Sequence, residues 1–169
     1  MDAIENKIAN SGLETLDLGD FYDNTPRTIL DIRPWLFQEM IIKENEFKEH
    51  LKLHNWEQYE KQYVCFYSSV DAIIPNWAWL MIANHLQGNC KRYFNGTPEQ
   101  LNEILFSEAI SKFDSTSLIG KRVLIKGCGD KEIPSSAFSM MASKLLPIVK
   151  SLMFGEACSN VPIYKQKLN

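Results

Sequence analysis

Long apolar runs are missing from this chain of 169 residues, and none of its stretches is extended enough to cross a bilayer. Its opening, Met1-Asp2-Ala3-Ile4-Glu5-Asn6-Lys7, also lacks the basic region and apolar core of a secretory signal. A cytoplasmic protein with no membrane partner is expected, and there the four cysteines stay reduced thiols instead of forming a disulfide framework. Positive charge is short as well. With 18 Lys and Arg against 21 Asp and Glu the net charge is −3, which argues against the concentrated positive field that nucleic acid requires. No glycine-rich phosphate cradle, serine-nucleophile elbow, kinase signature or Cys-x-x-Cys pair occurs, and the three histidines offer no obvious general base.

What is present is a repeat. Residues 47–96 and 106–155 overlay without a gap at a constant offset of 59, Phe47 falling on Phe106. Twelve pairs are identical, including Val64/Val123, Asp71/Asp130, Pro75/Pro134, Ala78/Ala137, Leu86/Leu145 and Gly96/Gly155, where chance pairing gives about three. Both copies read as helix, strand, Asp-x-x-Ile-Pro loop, helix and short strand. The pieces are 45–54, 63–69, 76–86 and 92–95 in the first copy, then 98–112, 122–128, 135–146 and 151–154 in the second. Asn76 and Ser135 stand just after the shared proline, in the position of N-caps.

These patterns predict an α/β fold: one three-layer, mostly parallel sheet built from an internal duplication, in a single domain of residues 1–169. Residues 1–45 form an N-terminal extension in which 13–18 and 28–32 read as a β-hairpin around Asp23-Asn24-Thr25-Pro26. That extension either lids the core or serves as the arm of a homodimer. Placing strands 63–69 and 122–128 side by side creates a topological switch point, where open parallel sheets bind ligands, at the loops of Asp71 and Asp130.

Gly127-Cys128-Gly129-Asp130-Lys131 is the most informative short segment, because glycine on both sides of a strand-end thiol signals a close approach to the backbone. Cys158 follows the strand expected beside it, so Cys128, Cys158 and Asp71 are the candidate ligands of a zinc or iron ion. The same thiol also reads as a nucleophile, with Cys128, Asp130 and Lys131 as the catalytic group, or as plain core filler. By the repeat, Cys128 corresponds to Ser69 and Cys158 to Glu99, whereas both aspartates are kept. Duplicated aspartates suit loop capping, and unduplicated thiols suit a site. Helix starts at Asn76 and Ser135, with Ser68 and Ser69 facing them, are candidates for holding a small anionic cofactor. Cys65 and Cys90 read as filler, and His50 with His54 as a packing face more than a zinc pair.

Asn10-Ser11-Gly12-Leu13, Asp71-Ala72-Ile73-Ile74-Pro75-Asn76-Trp77-Ala78, Lys126-Gly127-Cys128-Gly129-Asp130-Lys131 and Gly155-Glu156-Ala157-Cys158-Ser159-Asn160-Val161-Pro162 resemble the Bacteroidetes family catalogued as domain of unknown function 2480. The resemblance covers almost the whole chain. It implies no established activity, but it implies a setting beside iron-sulfur cluster assembly, with a protein partner there. The family often has Cys where this chain has Ser68, so a cysteine-only metal site would lack one sulfur here. The expected function is a cytoplasmic metal-binding accessory protein linked to iron-sulfur or sulfur transfer. The alternatives are a cysteine-dependent enzyme acting on a small molecule and a structural or partner-binding module.

Overall fold

The computed structural model describes residues 12–127 and 129–167. The chain divides into two compact units: a central unit, Asn24–Leu101, in one uninterrupted stretch, and a terminal unit made of the chain's two ends, Met1–Asp23 and Asn102–Asn169. The described elements are β1 (Leu13–Asp17), β2 (Arg27–Asp31), α1 (Glu44–Leu53), β3 (Tyr63–Tyr67), α2 (Asn76–Leu86), β4 (Arg92–Asn95), α3 (Pro98–Lys112), β5 (Arg122–Lys126), α4 (Ser135–Leu145), β6 (Ser151–Glu156) and β7 (Ser159–Lys165). No helix among the described residues is long and apolar enough to cross a membrane.

In the central unit the sheet order is β2-β3-β4, all parallel, with Tyr63 opposite both Arg27 and Arg92. The aromatic and β-branched sequence Tyr-Val-Cys-Phe of β3 favours a strand, and its burial makes it the middle one. Ala78, Ile82 and Leu86, spaced four apart on α2, meet Phe47 and Leu51 of α1 over Val64 and Phe66. Each large side chain buried there contributes about 1.5–3 kcal/mol of hydrophobic transfer free energy.

The terminal unit is built the same way. Its sheet runs β1-β5-β6-β7, the first three parallel and β7 antiparallel to β6. Phe106 and Ile110 of α3 join Ala137, Met141 and Leu145 of α4 over Val123 and Ile125. Every one of these core positions is 59 residues beyond its counterpart in the central unit. The register repeats too, since Arg122 faces Ser151 as Tyr63 faces Arg92. Even the helix entries match: Ala78 N–H donates to Pro75 O and Ala137 N–H to Pro134 O, both at 2.9 Å. Gly96 and Gly155 both sit at positive φ, 153° and 122°, and a Cβ on Gly155 would strike the Ser159 carbonyl oxygen.

A second, shorter repeat links β1 to β2 at an offset of 14 residues. Leu18 and Ile32, just past the two strands, are both fully buried. Asp17 Oδ1 accepts from Gly19 N–H at 2.8 Å, and Asp31 Oδ1 accepts from Arg33 N–H at 3.0 Å. Phe21 meets Phe113 edge to face with ring centres 5.3 Å apart, and Trp35 meets His54 in the same way at 5.2 Å. Each unit thus takes one N-terminal strand as an edge.

That arrangement corrects the expected single three-layer sheet. β3 is flanked by β2 and β4, and β5 by β1 and β6, so neither has an edge free to pair with the other. Within each unit both helices share one face of a single sheet. The strands expected as an N-terminal hairpin do form, but β1 pairs parallel with β5 and β2 with β3. The N-cap positions belong to Pro75 and Pro134, with Asn76 and Ser135 already inside the helices. Residues Ser159–Lys165, assigned to no element from the sequence alone, supply β7.

Candidate thiol and carboxylate site

The carboxyl ends of β1, β5 and β6 gather the charged groups of the terminal unit. Register pairs Asp17 with Lys126 across β1 and β5, and Ile125 with Phe154 across β5 and β6. Lys126 Nζ donates to Glu156 Oε2 across the strand ends. That bond to Glu156 raises the Lys126 ammonium above its ordinary range against the opposing effect of desolvation, and the charges of Glu156, Asp17 and Cys158 add to it. Cys158 is exposed in the two-residue turn, Ala157-Cys158, that joins β6 to β7. Lys126, Glu156 and Asp17 were not legible as site residues, because nothing local links a lysine to a carboxylate 30 positions away.

Cys128 lies outside the described residues, two positions beyond β5 in the sequence. Of its neighbours, Gly127 is explained by packing: the Phe138 ring occupies the space that a Cβ would fill. Asp130 is exposed, and no hydrogen bond or ion pair to another described residue reaches it. Lys131 extends its ammonium over the Tyr22 ring, 5.1 Å from the centroid.

Of the predicted trio Cys128, Cys158 and Asp71, Asp71 belongs to the central unit and Cys158 to the terminal unit. Among the described residues no group of three or more His, Cys, Asp or Glu could hold a metal ion. Among the described residues, neither Asp71 nor Asp130 caps its loop by a hydrogen bond. In the central unit Ser68 does this instead, its Oγ donating to the Val70 carbonyl at 2.9 Å. Ser69 was expected to face an anion, but its hydroxyl donates to Asp31 Oδ2 at 2.6 Å and its N–H to Oδ1 at 3.1 Å. A carboxylate in that place repels anions. Burial draws the Asp31 carboxyl upward, yet the Ser69 hydroxyl, the Arg33 and Ser69 amides and the Arg33 charge together hold it below its ordinary range. Asn76 and Ser135 are exposed and in different units.

The other thiols and the histidines are packed. Cys65 is fully buried in β3, where desolvation pushes its thiol up to about 11, and burial raises Cys90 as well. His50 stacks parallel to Trp35 at 6.1 Å and His85 on Trp56 at 4.9 Å. His54, bonded to the Tyr59 hydroxyl at 2.7 Å, has its pKa lowered by desolvation.

Two parallel-rich sheets with helices packed on them, and an exposed thiol in a turn at one set of strand ends, define a mixed α/β protein. The chain belongs to the family described as protein of unknown function (DUF2480), whose profile matches residues 2–166. No curated protein and no solved structure matches it.

Proposed function

We propose that this chain is a metal-binding accessory protein, cytoplasmic, working with a protein partner in iron-sulfur assembly or sulfur transfer. Its sulfur ligands are Cys158 and Cys128, and zinc or iron is the ion. The observation that carries this reading is the parallel β5–β6 register, which brings Glu156 and the Cys158 turn to the end of β5, the strand that Cys128 follows in sequence. Thiolate and carboxylate together suit a borderline metal. Glu156, in the same unit as Cys158, is an alternative to Asp71 as the oxygen donor. The split of one ancestral unit into a central and a terminal copy, an internal duplication, explains why only one copy carries thiols at this place.

Elemental analysis of the untreated protein tests the proposal. About one zinc or iron per chain is expected, lost in Cys158→Ser and in Cys128→Ser and retained in Cys65→Ser. Protein without metal, or with unchanged metal in both site variants, refutes it. A second reading, a cysteine nucleophile, is favoured by the Lys126 ammonium beside the exposed thiol. It predicts that a site thiol is alkylated faster than a free thiol at neutral pH, and that Lys126→Met removes the difference.

A further inference from the structure

The repeat supplies an internal control for every surface of the molecule, and one surface departs from its control sharply. In the central unit a groove of about 720 Å³ runs between α1 and α2. Its walls include Lys48 and Lys52 from α1 and Trp77, Leu80 and Met81 from α2, with Trp56 and His85 at one end. The terminal unit has the corresponding groove, about 530 Å³, between α3 and α4. All of its lining residues are 59 positions beyond lining residues of the first groove. There, however, serine stands in place of Lys48, Lys52, Leu80 and Asn84, namely Ser107, Ser111, Ser139 and Ser143.

The residues that close the two grooves differ in the same sense. Lys144 lies back and donates to the carbonyls of Ile110 and Ser111, at 2.8 and 3.0 Å, which satisfies the end of α3. Its counterpart His85 stacks at 12° on Trp56 and leaves that end of the groove aromatic. Leu80 is 71% exposed on α2, while the serine equivalent shows that this architecture does not require an apolar residue there. A large apolar side chain exposed to water in a groove that two lysines also line, on a chain of net charge −3, is a recognition feature more than a packing one.

We propose that the α1–α2 groove binds an amphipathic helix of a partner protein, one with apolar residues along one stripe and Asp or Glu on its flanks. On α2 the lining positions 77, 80, 81, 84 and 85 form one continuous stripe over two turns, and on α1 positions 48, 51 and 52 face it. A third helix laid between these rows places its own apolar stripe on Leu80, Met81 and the Trp77 ring, as in ordinary ridge-into-groove packing. Charge complementarity sets the chemistry of the flanks. Lys52 has no ion pair with any described residue, and Lys48 meets only Glu44, one turn back on the exposed side of its own helix. The inference stands apart from the thiol site, since it uses no residue of that site.

A synthetic 14-residue helix with Leu at one stripe and Glu on both flanks is the probe, titrated into the full-length protein by calorimetry and by tryptophan fluorescence. Saturable binding in the range of about 10–100 µM is expected, with a blue shift as Trp77 is covered. The double variant Lys52→Ser/Leu80→Ser gives the groove two of the four serines of its counterpart and changes only exposed positions. It should weaken binding by about tenfold or more, and a peptide with Lys in place of Glu should bind wild type about tenfold more weakly. Absence of saturation at millimolar peptide, equal binding by the double variant, or equal binding of the Lys peptide overturns the proposal. So does a wild-type protein that sediments as a dimer while the double variant sediments as a monomer, because the groove would then belong to a second copy.

Discussion

The central and terminal units share a backbone plan and differ in where each carries its polarity. In the terminal unit, charge and thiol collect at the strand ends: Asp17, Lys126, Glu156 and Cys158. In the central unit the equivalent end is closed by the Asp31–Ser69 hydrogen bonds, and the distinctive residues lie on the helical side instead. All three histidines of the chain pack with Trp35 and Trp56 there. The two units, alike in their element order and core positions, thus carry their distinctive residues on different surfaces. Cores built from equivalent positions tolerate such differences, because stability is held by the interior and not by the faces that differ.

The largest contrast to test is thiol reactivity. Cys65 is inaccessible and its thiol is held near 11, whereas Cys158 is exposed in a turn. In native protein, iodoacetamide should label Cys158 at least about a hundredfold faster than Cys65, read by peptide mass mapping, and the two should converge in denaturant. Equal native rates would mean that the β3 interior opens far more often than its packing implies. Next in size are the equivalent core rings. Phe47→Ala and Phe106→Ala should each cost about 3–5 kcal/mol in urea unfolding, both being fully buried. A large loss from one with little from the other would break the claim that the two interiors are alike.

Smaller effects sharpen the comparison. Asp31→Asn leaves the Ser69 hydroxyl and two backbone amides with a weaker acceptor, and a loss of about 1–2 kcal/mol is expected in the same unfolding experiment. Because the folded carboxyl titrates below its unfolded value, that contribution is present above the ordinary aspartate range and disappears as pH falls through the folded pKa. The smallest effect belongs to His54. Its folded pKa lies below 6.5, so the unfolded chain takes up a proton that the native state resists, and stability declines as pH drops from about 6.5 toward that folded value. His54→Phe installs the residue found at the corresponding place, Phe113, and should flatten the slope of melting temperature against pH in that window.

The order of elements was legible because it depends on local pattern. The strand in Tyr63–Tyr67, the proline entry to α2 and the spacing of Ala78, Ile82 and Leu86 are each set by near neighbours, and the offset of 59 doubled every signal. Sheet pairing was not, since it is decided by which strand reaches an edge first in space. The clue to it, Leu16-Asp17-Leu18 against Leu30-Asp31-Ile32, is only three residues long and too short to rise above chance. Of the candidate site, the Cys158 turn was visible through its missing counterpart, while the Lys126–Glu156 pair required knowledge of the β5–β6 register. The glycine signal at Gly127 pointed to a close neighbour, and that neighbour is the Phe138 ring.

The threading of the chain has its own consequence for biosynthesis. Every strand of the central sheet lies between Arg27 and Asn95, so on the ribosome that sheet has all its partners once this stretch has emerged. β1 is the first of the described strands to be made, yet it must stay unpaired until Arg122–Lys126 has been synthesised, more than a hundred residues later. Among the described strands the earliest made is thus one of the last to find its place, and a nascent chain arrested between Asn95 and Arg122 should carry a finished central sheet and an orphaned β1.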